Sequence, residues 1–592
     1  MANIKINGKA LQVDDNLTIL EAAKLVNIKI PTLCYNPDLT SWASCGLCIV
    51  RTAGPGSPRM ARACTTQVTE NMDIVTHDPE IIATRRTVLE LILSNHPSDC
   101  LQCSRNDSCE LRSLAAEFGI RDVPFRKIVE KSPIDDSNPA IVLDHDKCIR
   151  CGRCVIVCQN VQNVWAIEYM NRSMKSTIST AMDTNLGDGP CIKCGQCAAH
   201  CPVGAIYERD DTVKLWSALQ NSELHPVVQI APAVRVALAE EFGMAPGTLI
   251  TKKIYAALRL LGFKTVFDTN FSADLTIMEE GSELVKRLGD KNASLPLITS
   301  CCPAWVDYLE KFFTDMIPNF STAKSPQQMM GAMIKTYWAQ KASLDPAKIC
   351  SVSVMPCTAK KWEAGRSADM SSSGKNVQDV DIVITTRELA RMIKQAGIDI
   401  LKLEDEEADN PMGPYSGAGT IFGVTGGVME AAIRSAYFLV TNKELGNINF
   451  TPVRGLDGVK EAEVDFGKDL GNGLGSKIRI AAAHQMGNIE DVLNRIRDAK
   501  KAGKELPYHF VEVMACRGGC VGGGGQPYGS TDEIRKLRAA GIYTDDEKSA
   551  QRCSHLNPFI KEIYKEFLGE PGGKKAHELL HTEYEERPMY IK

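Results

Sequence analysis

The chain has 592 residues, 44% of them hydrophobic and 24% charged, and its formal net charge is −5 at pH 7. Such a length predicts several domains with packed cores, and a small net charge of mixed sign excludes a strongly basic surface for nucleic acid. No run approaches the roughly 18 uninterrupted apolar residues of a membrane span, and the first residues contain no apolar signal core. We therefore expect a cytoplasmic protein without a membrane span.

Short elements are predicted at the amino end. Residues 4–13 have a hairpin pattern that turns at Asn7-Gly8, and Thr18 with Glu21 supplies a capping box that begins a helix. These elements indicate a small α+β domain.

A second helical pattern covers residues 88–93, and short cysteine-rich loops follow it as far as Cys109. We expect a metal to hold these loops together, because they contain few apolar residues to bury. Farther on, a CxxCxxC pattern at Cys148 recurs at Cys191, which indicates an internal duplication.

The pattern changes at about Val227. Short apolar runs alternate there with helical stretches, which is typical of parallel α/β construction and predicts a large catalytic domain. Residues 546–592 then predict a charged, helical tail.

Fifteen of the 22 cysteines lie between Cys34 and Cys201. Disulfide-rich scaffolds are small and secreted, so thiolate metal ligands in a reducing compartment are the better interpretation for a chain of this size. The first set is Cys34, Cys45, Cys48 and Cys64, and its spacing resembles that of plant-type 2Fe-2S ferredoxins. The resemblance implies one 2Fe-2S cluster in a β-grasp domain. A zinc site is the alternative, although zinc ligands usually come as two CxxC pairs.

The second set is His96, Cys100, Cys103 and Cys109. It resembles the four-iron site with one histidine and three cysteines that hydrogenases share with the large iron-sulfur subunit of respiratory complex I. The alternative is a structural or solvent-exposed histidine, but three cysteines at matching spacing favour a ligand.

Two further runs have the CxxCxxCxxxC spacing of bacterial ferredoxins, in which the fourth cysteine of each run ligates the other cluster. This spacing predicts two 4Fe-4S clusters, against the alternative of a free-thiol or zinc module. One cluster takes Cys148, Cys151, Cys154 and Cys201. The other takes Cys191, Cys194, Cys197 and Cys158.

Three cysteine loops follow predicted strands in the second half. The strands cover residues 295–298, 349–354 and 509–513, and the loops read TSCCPAW, MPCTAKKWE and MACRGGC. Since ligands bind at the carboxyl ends of parallel strands, we expect the three loops to converge on one buried site.

The motifs TSCCPxW, MPCxxKxxE and MACxxGCxxGGGQP resemble the three signature loops of FeFe-hydrogenases and occur in the family's order. The likeness extends over essentially the whole chain. It implies an H-cluster, which consists of a 4Fe-4S part and a di-iron subcluster with CO, cyanide and a dithiolate bridge. Cys302, Cys357, Cys516 and Cys520 would be its ligands, and Cys520 would also bridge to the di-iron part.

The resemblance also implies a cage around the di-iron part. Lys360 would donate to one cyanide, and Ala233 is a departure, because many family members have a serine there. The other implied cage residues are Ala231, Pro232, Pro326, Gln327, Met355, Phe422, Gly423 and Met514.

A proton relay is implied for the same site. Cys301 would pass protons to Glu280, Ser321 and Glu283, with Arg287 near the exit. The alternatives are an inert core thiol for Cys301 and a solvated helix face for the two glutamates. Cys350 and Cys553 match no signature position and are interpreted as structural thiols.

Together these patterns predict five regions in a multidomain protein. They are a 2Fe-2S ferredoxin-like α+β domain (1–77), a four-iron domain with one His and three Cys ligands (78–138), a two-4Fe-4S ferredoxin-like domain (139–210), a two-lobed α/β H-cluster domain (211–545) and a helical tail (546–592).

The sequence has neither a GxGxxG after a strand nor a Walker A motif, so we expect no nucleotide cofactor on this chain. The amino-terminal cluster domains resemble those of NADP-reducing and electron-bifurcating hydrogenase complexes, in which a companion subunit binds flavin and NAD(P). We therefore expect a catalytic subunit that exchanges electrons with ferredoxin, a flavin-bearing partner or both, in an anaerobic setting. The alternatives are a self-sufficient monomeric hydrogenase that uses ferredoxin, a complex I-like electron-conducting subunit, and a hydrogenase-like protein of iron-sulfur assembly.

Overall fold

The computed structural model describes residues 1–54, 56–127, 132–471 and 473–591. Residues 128–131 of the predicted 78–138 domain and Lys592 of the predicted tail lie outside the described residues. The chain divides into two compact units. The first contains Met1–Val161, Trp165–Gly189 and His200–Tyr207, and the second contains Gln162–Val164, Pro190–Ala199 and Glu208–Lys592.

The first unit begins with a five-stranded sheet of order β2-β1-β5-β3-β4. Its first two strands form the expected antiparallel hairpin, in which alternate residues of the first strand are buried. The strands are β1 (Ala2–Ile6), β2 (Lys9–Val13), β3 (Ile49–Gly54), β4 (Gly56–Arg62) and β5 (Asp73–Val75).

Helix α1 (Ile19–Leu25) packs into this domain and begins at the expected capping box. The Glu21 backbone N–H donates to Thr18 Oγ1 at 3.3 Å, and the Thr18 backbone N–H donates to Glu21 Oε2 at 2.8 Å. The reciprocal bonds satisfy two N–H groups that the first turn would leave without partners.

The remainder of the first unit consists of short elements. Helix α2 is longer than the predicted segment 88–93, because Asp78 caps it and Pro79 starts it one residue later. The elements are α2 (Pro79–Asn95), α3 (Glu110–Glu117), α4 (Arg153–Ile156), β6 (Ile134–Asp135), β7 (Ile141–Asp144), β8 (Glu168–Met170), β9 (Thr177–Ser179) and β10 (Ile206–Glu208).

The second unit contains two four-stranded sheets, of order β12-β11-β14-β15 and β13-β18-β17-β16. The first sheet is parallel throughout, and the second has one antiparallel edge strand, β16. The strands are β11 (His225–Ile230), β12 (Thr265–Asp268), β13 (Leu297–Ile298), β14 (Ile349–Met355), β15 (Ile382–Thr385), β16 (Val459–Asp465), β17 (Lys477–His484) and β18 (Phe510–Met514).

Helices cover these sheets. The longest is α8, whose 21 residues are mostly buried. The helices are α5 (Gln196–His200), α6 (Thr212–Gln220), α7 (Thr251–Leu261), α8 (Thr269–Gly289), α9 (Pro303–Phe312), α10 (Pro326–Met333), α11 (Ala339–Lys341), α12 (Ala359–Glu363), α13 (Thr386–Gln395), α14 (Gly417–Thr420), α15 (Gly427–Thr441), α16 (Met486–Lys501), α17 (Asp532–Lys548), α18 (Pro558–Ile563) and α19 (Lys574–Leu580).

Two features differ from the predicted segmentation. The boundary placed between residues 545 and 546 falls inside α17, because the helical pattern there continues to Lys548. Residues 190–199 of the second ferredoxin-like run group with the catalytic unit. Lys193 explains part of this grouping, since its Nζ lies 2.6 Å from Asp307 Oδ2 and both side chains are buried.

A buried arginine anchors the loop that follows β11. Arg235 Nη2 donates to both oxygens of Asp268, at 2.9 and 2.8 Å, and its Nη1 donates to the Tyr415 hydroxyl at 2.8 Å. Neither Arg235 nor Asp268 is more than 1% exposed, so the Asp268 carboxylate depends on Arg235 for compensation, while Arg235 has a second acidic partner in Asp545 at 3.0 Å.

We expect Arg235→Met to destabilise the catalytic unit by about 3–5 kcal/mol, because the Asp268 carboxylate would remain buried without its counter-charge. Chemical denaturation of the full chain measures this loss. Lys477→Met is the matched control, since the Lys477–Glu463 pair is more than half exposed, and it should cost at most about 1 kcal/mol. Equal effects of the two substitutions would contradict the prediction.

Candidate functional site

A cavity of about 80 Å³ lies where the strand-end loops of both sheets meet in the second unit. Cys301 and Cys302 follow β13, Cys357 follows β14, and Cys516 and Cys520 follow β18. All five cysteines line the cavity, so the expected convergence is present, and it draws on two sheets. Most of the other lining side chains are apolar.

The glycine-rich loop after Cys520 packs tightly against the cysteine loop after β14. A Cβ at Gly523 would lie 2.1 Å from the Pro356 carbonyl oxygen, so a larger residue would push the two loops apart. The Gly525 backbone N–H donates to the same oxygen at 2.9 Å. These contacts fix the spacing of Cys357 and Cys520 across the cavity.

Lys360 contributes a buried positive charge to the wall. Its Nζ donates to Glu363 Oε2 at 2.8 Å and to the Cys301 carbonyl oxygen at 3.2 Å. Burial alone would lower the pKa of Lys360, but the negative charge of Glu363 raises it. The ammonium therefore stays charged inside a mostly apolar site.

Glu363 is a site residue to which the sequence analysis assigned no role, although it is the last residue of the MPCTAKKWE motif. Its Oε2 also accepts from Ser325 Oγ at 2.9 Å and from Gln327 Nε2 at 3.0 Å. Its i, i+3 spacing from Lys360 on the short helix α12 could have predicted this ion pair.

Eight of the nine implied cage residues line the cavity. Gly423 is the exception, and a Cβ there would lie 3.5 Å from Ala233 Cβ. Ala233 itself lines the cavity and is fully buried, and its carbonyl oxygen accepts from Gln526 Nε2 at 2.9 Å. The lining residues from the implied set are Ala231, Pro232, Pro326, Gln327, Met355, Lys360, Phe422 and Met514.

A chain of polar groups leads away from Cys301. Glu280 Oε1 accepts from the Ser300 backbone N–H at 3.5 Å, and Ser321 Oγ donates to Glu283 Oε2 at 2.9 Å. Arg287 Nη2 donates to Glu283 Oε1 at 2.6 Å. Glu280 and Ser321 are fully buried, whereas the Glu283 and Arg287 side chains are about 15% exposed. The series therefore runs from the interior to the surface.

Burial shifts both groups at the inner end of this series toward their neutral forms. It raises the pKa of Glu280 to about 8, and the negative charge of Glu283 adds to the effect. Burial, followed by the charge of Glu280, also raises the pKa of the Cys301 thiol. A protonated carboxyl and a protonated thiol thus stand beside the cavity at neutral pH.

The carboxyl-terminal tail supports the loop that carries Ser321, which no local pattern in the sequence indicated. Two neighbouring tail residues contact Thr322: the Thr582 backbone N–H donates to the Thr322 carbonyl oxygen at 2.8 Å, and His581 Nδ1 lies 2.8 Å from Thr322 Oγ1. His581 Nε2 lies 2.9 Å from Glu279 Oε2, on the helix that also carries Glu280.

The first accessory cysteine set converges in the first unit. Cys48 Sγ and Cys64 Sγ lie 3.4 Å apart, and the Cys45 backbone N–H points at Cys34 Sγ at 3.5 Å. Such sulfur separations fit ligands that share one iron-sulfur cluster.

The four members of the second set stand on one segment. His96 ends α2, Cys100 begins a short turn, and Cys109 caps α3 by accepting from the Arg112 backbone N–H at 3.4 Å. Among the described residues, His96 Nδ1 is buried with no hydrogen-bond partner, and burial lowers the pKa of the ring. A neutral imidazole with an unused buried nitrogen has the chemistry of a metal ligand.

One four-cysteine set of the duplicated module surrounds a cavity in the first unit. It consists of Cys148, Cys151, Cys154 and Cys201, so the fourth thiol comes from the other run, as expected. The complementary set divides between the two units, with Cys158 in the first and Cys191, Cys194 and Cys197 in the second. That set remains a prediction.

The segment that carries Cys194 lies directly against the main cavity's loops. A Cβ at Gly524 would lie 2.3 Å from the Cys194 carbonyl oxygen, and Gln196 Nε2 lies 3.2 Å from Cys516 Sγ. Gln196 is a second residue that the sequence reasoning missed, since it occupies a variable position of the CxxCxxC run. Its amide N–H is placed to donate to the Cys516 sulfur.

Comparison with known proteins decides the family. The profile "Iron only hydrogenase large subunit, C-terminal domain" matches residues 224–524, which is half of the chain. The NADP-reducing hydrogenase subunit HndD of Solidesulfovibrio fructosivorans is 47% identical over 598 residues, which covers 99% of both chains. The chain belongs to the FeFe-hydrogenase family. It is therefore an oxidoreductase, as the three cysteine loops predicted.

Two further FeFe-hydrogenase relatives show how far the likeness extends. Iron hydrogenase 1 of Clostridium pasteurianum is 40% identical over 596 residues, which covers 99% of this chain and 100% of that protein. A solved structure of a variant of FeFe-hydrogenase HydA1 from Chlamydomonas reinhardtii superposes with a TM-score of 0.57 at 43% identity. It covers 64% of this chain and all of that one.

Profiles also match the accessory regions of this FeFe-hydrogenase. They support a multidomain chain with a 2Fe-2S domain, a 4Fe-4S dicluster domain and an H-cluster domain. The matches are a 2Fe-2S cluster-binding domain at 1–79, the NADH-ubiquinone oxidoreductase-G iron-sulfur region at 85–124, a 4Fe-4S dicluster domain at 147–206 and the iron hydrogenase small subunit at 532–587. None of the helices in the described ranges is long and apolar enough to cross a lipid bilayer.

We expect the Glu280 contribution to the free energy of unfolding of the wild type to decrease as the pH rises from about 4.5 to about 8. The reason is that folded Glu280 retains a proton that the unfolded chain releases in this pH range. Glu280→Gln removes that penalty, so the variant should gain roughly 2–5 kcal/mol relative to wild type as the pH rises from about 5 to about 8. Chemical denaturation at both pH values measures the gain. Glu280→Asp keeps a carboxyl group and is the control. A stability difference that does not change with pH would rule out Glu280 as the titrating group.

Proposed function

We propose that this chain is the catalytic subunit of a multimeric FeFe-hydrogenase, which interconverts H2 with protons and electrons at an H-cluster. One observation carries the proposal. The four implied ligands, the additional thiol of Cys301 and Lys360, which is paired with Glu363, line one cavity in a chain of this family.

The cavity fits the H-cluster in its donor set as well as in its position. Cys302, Cys357, Cys516 and Cys520 would hold the 4Fe-4S part, and Cys520 would also hold the di-iron part. When bound, the cluster supplies the metal centre at which the H–H bond forms or breaks. The chain's own residues hold it, keep water out and move protons, as follows.

The cavity wall is suited to a metal unit with only one protein thiolate. Such a unit must be fixed by the shape of its surroundings and by a few directed donors. Met355, Phe422 and Met514 provide apolar wall, and the Lys360 ammonium is the donor for a cyanide ligand. Glu363 holds that ammonium in place, as supported by its 2.8 Å contact.

Protons travel between Cys301 and the surface. The Cys301 thiol exchanges a proton with the cavity, Glu280 receives or supplies it, and Ser321 and Glu283 continue the series to Arg287. Support comes from the hydrogen bonds from Ser321 and Arg287 to Glu283 and from the burial that keeps Cys301 and Glu280 protonated.

Electrons travel through accessory clusters. We assign one 2Fe-2S cluster in the β-grasp domain, one 4Fe-4S cluster with His96 as a ligand, and two 4Fe-4S clusters in the duplicated module. The approach of the Cys194 segment to the loop of Cys516 supports the last transfer to the H-cluster.

The electron partner is a companion subunit that binds flavin and NAD(P), with ferredoxin as a further partner and electron bifurcation as the mode of coupling. Support comes from the full-length similarity to an NADP-reducing hydrogenase subunit and from the NADH-ubiquinone oxidoreductase-G-like region. We assign this complex to the cytoplasm. The alternative is a monomeric hydrogenase that uses ferredoxin alone.

We expect Cys301→Ala to lower turnover about 100-fold or more, because it removes the first proton carrier but none of the cluster's ligands. The infrared bands of CO and cyanide should remain. Cys520→Ala should lose those bands, since the di-iron part would have no protein thiolate. Cys350→Ala is the control, because it removes a buried thiol outside the cavity. Full activity in Cys301→Ala would remove this thiol from the proton path, and bands that persist in Cys520→Ala would overturn the ligand assignment.

We expect a flavoprotein to co-purify with the native chain and to confer NAD(P)-dependent activity. Leu101, next to Cys100, is 88% exposed, so Leu101→Asp should weaken this association at least about tenfold while dye-linked hydrogenase activity persists. Met182→Asp is the matched control, because Met182 is 89% exposed and is not adjacent in sequence to any predicted cluster ligand. Purification of the native chain as an active monomer would favour the ferredoxin-only alternative.

A further inference from the structure

A sulfur, a nitrogen and a carboxylate oxygen meet in the second unit, in residues that play no part in the hydrogenase site. The ligand atoms of Glu444, Cys553 and His555 all lie within 4.8 Å of one another. Cys553 and His555 are each 3% exposed, whereas the Glu444 side chain is 47% exposed. Two of the three residues are therefore buried, and the third is open to solvent.

The imidazole is held in the orientation of a metal ligand. His555 Nδ1 lies 3.0 Å from Ser435 Oγ on α15, and Phe438 on the same helix stacks on the ring at 4.4 Å between centroids. If Nδ1–H donates to the Ser435 hydroxyl, Nε2 presents its lone pair toward Glu444 Oε1, 3.1 Å away. A second hydrogen bond of this kind fixes the tautomer in protein metal sites.

The backbone around Cys553 is also fixed. Arg434 Nη1 donates to the Arg552 carbonyl oxygen at 2.7 Å, and Arg552 Nη2 donates to Asp546 Oδ2 at 2.5 Å. Arg434 and Asp546 are fully buried. The thiol is therefore presented from an anchored segment rather than from a free chain end.

The geometry points to a zinc site formed by Cys553, His555 and Glu444, with water as the fourth ligand. Zinc accepts thiolate, imidazole and carboxylate together in tetrahedral coordination, and tetrahedral ligand atoms lie about 3.2–3.6 Å apart. The His555–Glu444 separation of 3.1 Å is close to this range, and the sulfur, which lies within 4.8 Å of the other two atoms, needs to approach by at most about 1.5 Å. Binding releases the thiol proton to solvent, as thiolate ligation requires.

The zinc would tie together two segments that are distant in sequence. Glu444 follows the end of α15 at Thr441, and Cys553 follows the end of α17 at Lys548. Cys553, which the sequence led us to interpret as a structural thiol, thereby gains a specific role. The ion stabilises the junction between the catalytic domain and its carboxyl-terminal tail and does not take part in turnover.

Metal analysis of the full chain, purified anaerobically from zinc-supplemented cells, tests this proposal. We expect about one zinc per chain in the wild type and in Cys350→Ala, a control that removes the other unassigned buried thiol. Cys553→Ser and Glu444→Gln should each lose most of this zinc and unfold at a lower temperature, with their hydrogenase activity at ambient temperature unchanged. Glu444 lies at the surface, so its substitution leaves the fold intact.

X-ray absorption at the zinc edge separates this site from zinc misplaced in a cluster site. The proposed site gives one sulfur at about 2.3 Å and three nitrogen or oxygen ligands at about 2.0–2.1 Å, whereas zinc in a cluster site gives four sulfurs, or three sulfurs and one nitrogen at the His96 site. A chain without zinc, a spectrum with three or four sulfurs, a different metal bound by these residues, or zinc that survives both substitutions would each overturn the proposal. Absence of zinc would leave a hydrogen-bonded His555–Glu444 pair beside an inert thiol.

Discussion

The cavity at the strand ends of the two four-stranded sheets is the constraint on which the rest of the catalytic unit depends. Its four implied ligand cysteines come from three loops at strand ends, so no single element can form the site alone. The glycine-rich loop must therefore pack without side chains against the Pro356 carbonyl oxygen. Buried ion pairs such as Arg235–Asp268 stabilise the surrounding loops, because the cavity itself contributes no packing.

The same enclosure determines the electrostatics of the site. Burial raises the pKa of Glu280 and of Cys301, which keeps both groups protonated, whereas Glu363 reverses the effect of burial on Lys360. The two proposed proton carriers are therefore neutral, whereas Lys360 keeps its positive charge because it has an acidic partner. A buried site can both carry protons and orient a ligand when some of its groups are neutral and hold a proton, as Glu280 and Cys301 do, and another keeps a charge, as Lys360 does.

In the proposed mechanism, protons and electrons reach the cavity through different parts of the second unit. The polar series from Cys301 follows α8 and the loop that carries Ser321. Tail residue His581 contacts Thr322 of that loop. The Cys194 segment contacts the loop of Cys516 and Cys520 instead. Separate routes suit a reaction in which two protons and two electrons meet at one closed site. The tail is thus part of the catalytic architecture, and its junction with α17 carries the proposed zinc ligands Cys553 and His555.

The sequence by itself determined the family, the spacing of the cysteine ligands and the chemical identity of the residues that converge on the cavity, because cysteine spacing and loop motifs are local patterns. It also predicted the hairpin at Asn7-Gly8 and the capping box at Thr18, which depend on neighbours within a few residues. Only the tertiary structure decided that the site draws on two sheets, that Glu363 holds Lys360, that Gln196 reaches Cys516, and that Glu444 meets Cys553 and His555. These contacts join residues whose pairing the local pattern did not single out, most of them far apart in the chain, and burial then fixes their charge states.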